Sequence, residues 1–200
     1  GSRTGCGETG AIPLTVLAPT SHVAYTASTN PTLMWYVPAT VPYLLDVSLY
    51  QVGDGANERQ LVYQYEAIEE TSGLFQFTVP DSELTLTSGE RYLWQVAIAC
   101  DPNSPANDQT IVAELEVVEV PEAIAIDLAN AQTLEEQSQI YAENGYWYDA
   151  LQSAVGWTEL FDDQPPLTVL DLLEELAEVE GGIHAWYLAQ MNLQFPVVVE

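Results

Sequence analysis

The chain has 200 residues, of which 48% are hydrophobic, so it is long and apolar enough to bury a sizeable core. Its 30 acidic residues face three arginines and no lysine, which gives a formal net charge of −27 at pH 7. Phosphate binding needs clustered Lys or Arg, so this charge argues against nucleic acid and anionic membranes as partners, and no apolar run reaches the roughly 20 residues of a membrane-spanning helix.

Residues 1–120 alternate between short β-prone runs and turn clusters, a spacing typical of a β-sandwich. The run 73–80 shows the period of two expected of a strand, with Phe75, Phe77 and Val79 on one face. Eight strands are predicted in this way: 12–19, 22–28, 32–38, 43–51, 60–68, 73–80, 91–100 and 110–120. The N-terminal part is therefore predicted to be an antiparallel β-sandwich.

The segment from Leu86 through Gly89 to Tyr92 has the spacing L-x-x-G-x-x-Y directly before an alternating strand. This spacing is typical of the tyrosine corner of immunoglobulin-like and fibronectin-like sandwiches, in which the Tyr hydroxyl bonds back to the backbone of the turn. Trp35 on an earlier strand is then expected to pack beneath the strand that carries Trp94. A plain hairpin with an aromatic strand is the alternative; we favour the sandwich.

The periodicity becomes helical after Pro121, which divides the chain into a sandwich domain at 1–120 and a helical region at 121–200. Thr133 and Glu136 form a capping box at the start of one of these helices. The predicted helices are 123–131, 133–143, 146–155, 168–180 and 183–191. The sequence closes on LQFPVVVE, a β-prone tail, so the fold class is α+β with an extended C-terminus.

The two cysteines indicate the compartment. Cys6 lies in a Gly-rich arm before the first strand, and Cys100 ends a strand of the predicted core. Two cysteines in an acidic, lysine-free chain suggest an exported protein with one disulfide between them. Such a bridge closes a loop of about 94 residues and removes on the order of 4–5 kcal/mol of unfolded-state entropy. Two unpaired buried thiols are the alternative.

Several hard oxygens fall in the loop that follows Cys100. Asp101, Asn103 and Asp108 are candidate calcium ligands, although the central Gly and distal Glu of an EF-hand are missing. Ordinary turn chemistry is the alternative, and no other cofactor is predicted. With two histidines, no lysine and no nucleophile or phosphate-binding motif, we expect the chain not to be an enzyme.

Three segments carry a resemblance to a known family: TLMWYVP (32–38), GERYLWQVAIACDPN (89–103) and YAENGYWYDAL (141–151). In this order they resemble the hallmarks of a cyanobacterial family of exported proteins, catalogued as domain of unknown function 928. The resemblance spans roughly residues 6–155. It implies a cyanobacterial source and an extracellular or periplasmic location, and it supplies no catalytic residues.

The sandwich and the tail together predict a non-catalytic, exported structural or protein-interaction protein. A sandwich offers edge strands, and an extended tail can add to the sheet of a neighbour, assembling a filament or layer. The expected partners are therefore copies of the chain or another envelope protein. The residues expected to make this contact are Phe195, Val197, Val198 and Val199.

The alternative function is a calcium- or glycan-binding module of the cell envelope. Exposed aromatic rings stack on sugars, and the sequence offers a cluster of three at the start of a predicted helix. The candidate platforms are Tyr146, Trp147 and Tyr148. A structural role for this cluster, between the helices and the sandwich, is the competing interpretation.

Overall fold

The computed structural model describes residues 12–38, 41–53, 55, 58–69, 73–99, 108–156, 167–182 and 187–188. Eight strands come first: β1 Thr15–Val16, β2 Ala24–Thr26, β3 Thr32–Val37, β4 Tyr43–Val52, β5 Arg59–Glu69, β6 Gly73–Thr78, β7 Arg91–Ala99 and β8 Gln109–Val117. Four helices follow: α1 Glu122–Asn130, α2 Leu134–Glu143, α3 Trp147–Val155 and α4 Leu167–Val179. The predicted α+β class is confirmed. Most of the predicted helix 183–191 lies outside the described residues.

The strands form two sheets, one with the order β1-β3-β6 and the other with the order β2-β8-β7-β4-β5. Neighbouring strands are antiparallel except for β2, which runs parallel to β8 with Ala24 opposite Leu115. The prediction of an antiparallel sandwich is therefore wrong at this edge. Hairpin turns impose antiparallel pairing on consecutive strands, but five strands separate β2 from β8, so no turn dictates their direction.

The two sheets share one apolar core around Trp35. All six residues of β3 are buried. The ring of Trp35 is stacked 6.1 Å from Phe75 in its own sheet and lies 6.4 Å from Trp94 in the other sheet. The predicted packing of Trp35 against the strand that carries Trp94 is confirmed.

The turn before β7 has the predicted tyrosine-corner contact. The hydroxyl of Tyr92 accepts a hydrogen bond from the backbone N–H of Thr87 at 3.0 Å. Gly89, between them, has a φ of 83°, which L side chains rarely adopt, and its N–H donates to the Val117 carbonyl at 2.7 Å. The corner therefore fixes the entry of the chain into β7.

Local signals also set the limits of α2. Thr133 Oγ1 accepts the N–H of Glu136 at 3.1 Å, as the capping box predicts, while the Glu136 carboxylate accepts the N–H of Gln132. The helix ends at Glu143, and Gly145, two residues further on, has a φ of 79° that turns the chain towards α3. The described helices are too short or too polar to cross a membrane.

The helices contribute unequally to the core. α1 has no buried residue, whereas α3 and α4 place residues such as Leu151 and Leu173 in the same hydrophobic cluster as the strands. The hydroxyl of Thr168 in α4 also donates to the Ala154 carbonyl of α3 at 3.0 Å. The predicted boundary at residue 120 falls between β8 and α1. Residues on the two sides of this boundary share one core, because α3 packs directly onto the sheets.

Candidate interaction surface

Four consecutive residues at the start of α3, which we call the clasp (146–149), bond the helices to the sheets. The hydroxyl of Tyr146 donates to the Glu119 carbonyl at 3.0 Å, just after β8. The indole Nε1 of Trp147 donates to the Leu17 carbonyl at 2.8 Å, just after β1. The first half of the clasp therefore bonds the helices to residues at the ends of both sheets.

The second half of the clasp contacts the five-stranded sheet. The hydroxyl of Tyr148 accepts from Trp94 Nε1 at 2.9 Å and donates to the Glu114 carbonyl at 3.2 Å. Burial raises the pKa of Tyr148, so its hydroxyl stays protonated and able to donate. Asp149 Oδ2 accepts the backbone N–H of Ala27 at 2.9 Å, in the turn after β2.

These contacts decide between the two interpretations of the aromatic cluster. The exposed fractions of Tyr146, Trp147 and Tyr148 are 3%, 8% and 1%. Their polar atoms are satisfied by the protein itself, and no ring face is free to stack on a ligand. The glycan-stacking prediction for these three residues is therefore wrong, and the segment serves to join the helices to the sandwich.

Another long-range contact joins the end of α4 to the turn after β1. The buried Glu180 carboxylate accepts hydrogen bonds from the backbone N–H and hydroxyl groups of both Thr20 and Ser21, at 2.7 to 3.3 Å. Burial tends to raise the pKa of Glu180, but these bonds outweigh it, and the pKa lies below its usual value. The hydrogen bonds from Thr20 and Ser21 thus keep the Glu180 carboxylate ionised, although Thr20 and Glu180 are 160 residues apart in the sequence.

Ser21, His22 and Glu180 have the composition of a catalytic triad but not its geometry. Ser21 Oγ lies 3.1 Å from His22 Nδ1, and Glu180 Oε1 lies 3.7 Å from the same nitrogen. In a triad the nucleophile and the acid contact opposite ring nitrogens, so that the ring can accept the serine proton. Here Ser21 donates its proton to Glu180 at 2.7 Å, so the cluster stabilises the turn and does not activate a nucleophile.

Most of the predicted site residues lie outside the described residues: Cys6, Cys100, Asp101, Asn103, Phe195, Val197, Val198 and Val199. Asp108 is described; it is exposed and directly precedes β8. Within the described ranges, no group of three or more His, Cys, Asp or Glu side chains is placed to hold a metal ion. The disulfide, the calcium site and the tail contact remain predictions.

The two lateral sides of the sandwich differ. On the β2 side the helices cover the sheet edge, since the N–H of Tyr25 donates to the Gly145 carbonyl at 3.0 Å and Ala27 is bonded to the clasp. On the opposite side β5 forms the edge of the five-stranded sheet and β6 the edge of the three-stranded sheet. Among the described residues nothing pairs with the outer edge of either strand, so this β5/β6 side is open.

The open side combines an unusually long edge with exposed apolar side chains. β5 has 11 residues and none of them is buried. Ile68 is 70% exposed and Leu61 is 47% exposed, while the ring of Tyr65 lies 5.5 Å from that of Phe77 on β6. Edge strands of this kind present unpaired backbone groups that can pair with another chain. The open side is the candidate interaction surface.

Features on β5 also limit indiscriminate pairing. The register with β4 shifts at Leu49/Tyr50, which leaves Val62 as the extra residue of a bulge. Glu66 and Glu69 place negative charge along the strand. Bulges and edge charges are devices by which β proteins restrict edge-to-edge association, so this edge is suited to a specific partner strand.

Comparisons with known proteins identify a family and distant structural likenesses. The family model described as "Domain of Unknown Function (DUF928)" matches residues 1–165. No curated protein matches the chain. Among solved structures, it is similar to a lytic polysaccharide monooxygenase important for efficient utilisation of chitin in Cellvibrio japonicus, with a TM-score of 0.35 and 11% identity over 50% of this chain and 58% of that one.

Two further solved structures show likenesses of the same order. A PapD-like domain of human CEP192 has a TM-score of 0.29 and 13% identity, over 50% of this chain and 80% of that one. The sporulation control protein Spo0M of Bacillus subtilis has a TM-score of 0.27 and 14% identity, over 61% of this chain and 56% of that one. The chain thus spans less than two thirds of two of these three structures.

Proposed function

This chain belongs to the DUF928 family, and from that premise we propose that it is a non-catalytic exported protein that assembles with copies of itself by strand addition. The observation that carries the proposal is the open β5 edge, 11 residues long with no buried residue. In the proposed contact, the C-terminal tail of one copy pairs with β5 of the next. The donor side chains are Phe195, Val197, Val198 and Val199.

Strand addition suits the chemistry of both partners. Backbone hydrogen bonds supply affinity in this mode of recognition, while alternate side chains of the added strand fit neighbouring apolar surface. Leu61, Tyr65 and Phe77 supply apolar surface on the open side. A head-to-tail contact between a tail and an edge leaves the tail of the second copy free, so the assembly extends as a filament or layer.

The net charge sets the conditions for assembly. Two copies that each carry a formal charge of −27 repel one another, and salt screens that repulsion, with a Debye length of about 10 Å at 0.1 M ionic strength. Association is therefore strengthened by added salt or divalent cations. This dependence is opposite in sign to that of partners held together by opposite charges.

Within this proposal the sandwich is immunoglobulin-like. Strands β1, β3 and β6 correspond to A, B and E of that fold, and β4, β7 and β8 correspond to C, F and G. The bond from Thr87 to the Tyr92 hydroxyl, at the start of the strand equivalent to F, supports this correspondence. Immunoglobulin-like sandwiches serve as scaffolds in many cell-surface proteins, which agrees with an interaction role.

Export from a cyanobacterial cell and a disulfide between Cys6 and Cys100 complete the proposal. An oxidising extracellular or periplasmic setting allows that bridge, which ties the N-terminal arm to the end of β7. Titration of thiols in the unfolded, unreduced protein checks it: no free thiol is expected, and two per chain would contradict both the bridge and the export premise.

The proposal assigns no cofactor and no catalysis. Calcium binding by Asp101, Asn103 and Asp108 is the alternative for the loop before β8, because these side chains are hard oxygen donors. Isothermal calorimetry of EDTA-stripped protein distinguishes the two: a saturable heat on addition of calcium would establish the alternative, and its absence would exclude it.

Sedimentation velocity at increasing salt tests strand addition directly. Truncation after residue 192 removes the donor, and Ile68→Glu adds a charge to the acceptor edge; each is expected to abolish the larger species. Ile126→Glu is the matched control, because Ile126 is 54% exposed on α1, away from the edge, and undergoes the same chemical change. Unchanged assembly in the truncated and Ile68→Glu proteins, or equal loss in the control, would refute the model.

A further inference from the structure

A second concave surface lies on the helical part of the molecule, independent of the open side. It is a pocket of about 350 Å³ between α2, α3 and Ser28 in the turn after β2. Pockets that hold small ligands measure roughly 300–1,000 Å³, so this one has room for one or two small rings. Its lining includes Asp149, whose bond to the Ala27 N–H fixes the turn against α3.

The lining of this pocket is mostly polar and carries a single carboxylate, which is unusual in so acidic a chain. Gln137 and Tyr141 come from one face of α2, and Gln152 and Ser153 come from α3. That carboxylate belongs to Asp149. The groove on the other face of α2, between α2 and α4, is by contrast lined by six carboxylates: Glu135, Glu143, Asp171, Glu174, Glu175 and Glu178.

The polar side chains of the pocket have unused hydrogen-bonding capacity. In the described part of the chain, the side-chain polar atoms of Gln137, Tyr141, Gln152 and Ser153 make no hydrogen bond to the protein. Each Gln amide offers two donors and an acceptor, and the two hydroxyls offer both roles. The Tyr141 ring packs against that of Tyr146, with centroids 6.1 Å apart, so this ring is positioned before any ligand arrives.

The charged and titratable groups of the pocket restrict the class of ligand that it can bind. No Lys or Arg lines the pocket, so an anion has no counter-charge there. Burial raises the pKa of Asp149, and burial together with the Asp149 charge raises the pKa of Tyr141. The Tyr141 hydroxyl is therefore a permanent donor, and the carboxylate is already bonded to the Ala27 N–H.

We propose that the pocket formed by α2, α3 and Ser28 binds a neutral polyhydroxylated compound, a sugar ring or a polyol. Vicinal hydroxyls donate and accept in alternation, which matches the amides of Gln137 and Gln152, and the partly exposed Tyr141 ring offers a face to the apolar C–H groups of a sugar. This site differs from the aromatic cluster of the clasp, because none of Tyr146, Trp147 and Tyr148 lines the pocket.

Titrations followed by ¹H–¹⁵N NMR of the side-chain amides test the site. Glucose, trehalose and sorbitol are the probes, with spermidine and citrate as cationic and anionic comparators. We expect saturable shifts of the Gln137 and Gln152 amides with at least one neutral probe. No saturable shift with any of the three, or saturation with spermidine or citrate in their place, would overturn the assignment.

A double variant provides the second arm. Gln137→Ala/Gln152→Ala removes two unbonded side chains, so folding is preserved, and it is expected to weaken binding about tenfold or more through the lost hydrogen bonds. Gln139→Ala is the matched control, because Gln139 lies on the opposite face of α2 and pairs with Glu143 at 3.0 Å. Equal affinity in the double variant and the control would contradict the site.

Discussion

Tyr148→Phe removes a single oxygen atom from the centre of the contact between helices and sheets. Tyr148 is 1% exposed, and its hydroxyl accepts from Trp94 Nε1 at 2.9 Å and donates to the Glu114 carbonyl at 3.2 Å. Phenylalanine fills almost the same space but leaves the indole N–H buried without an acceptor. A stranded buried polar group costs about 1–3 kcal/mol, so we expect a loss of about 2 kcal/mol in the free energy of unfolding.

Urea unfolding followed by far-ultraviolet circular dichroism measures this loss. For a chain of this size, about 2 kcal/mol corresponds to a fall of roughly 4–8 °C in Tm. In a double-mutant cycle with Trp94→Phe, the two substitutions should cost clearly less together than their sum, because either one alone breaks the same bond. A change within about 0.5 kcal/mol of the wild type, or a coupling energy near zero, would refute this account of the clasp.

Trp35→Phe is the matched control for Trp94→Phe. Both substitutions remove the same atoms from buried positions, but Trp35 Nε1 has no hydrogen-bond partner in the described part of the chain. The free-energy cost of Trp94→Phe should therefore exceed that of Trp35→Phe by about 1 kcal/mol, the net value of one buried hydrogen bond. Equal costs would mean that the indole bond to Tyr148 adds nothing.

Three further substitutions probe charge and backbone. Because the folded pKa of Glu180 is lowered, the stability that its carboxylate contributes is complete above its unfolded pKa of 4.5 and is lost as the pH falls through the folded value. Glu180→Gln should therefore cost about 2 kcal/mol at neutral pH and remove this part of the loss of stability at low pH. Urea midpoints measured across this pH range check both effects. The folded pKa of Asp149 is raised by burial, so its contribution is complete below its unfolded pKa of 3.8 and is lost as the pH rises through the folded value. Asp149→Asn should therefore gain stability relative to the wild type across that rise, and a difference that stays constant with pH would contradict this. Gly156→Ala places a Cβ 3.2 Å from Leu134 at a φ of 63° and should lower stability by about 1–3 kcal/mol in thermal melts, whereas Gly181→Ala, with open space around it, should be nearly neutral.

Local patterns predict the elements well because their causes lie within a few residues. The period of two in 73–80 gives β6, the Thr133 capping box gives the start of α2, and the spacing from Leu86 to Tyr92 gives the corner at Thr87. Each of these depends on side chains and backbone that are already neighbours along the chain.

The parallel β2–β8 pair and the candidate surface could not be predicted in the same way. Nothing near Ala24 specifies Leu115 as its partner, and nothing near Thr20 indicates Glu180. The openness of β5 depends on which side of the sandwich α3 covers, and the 146–149 segment has the aromatic content of a binding platform as much as that of a clasp. Exposure separated these two roles, and exposure is a property of the fold.

The distances along the chain that the clasp bridges bear on the order of events during biosynthesis. Leu17 and Trp147 are 130 residues apart, so their bond cannot form until α3 has been synthesised, whereas β1 can pair with β3 much earlier. At about 5–20 residues per second, that interval is many seconds, far longer than a hairpin takes to form. The strands can therefore pair before the clasp docks, and until then the Leu17 carbonyl, the Ala27 N–H and the Trp94 indole lack the partners that α3 supplies.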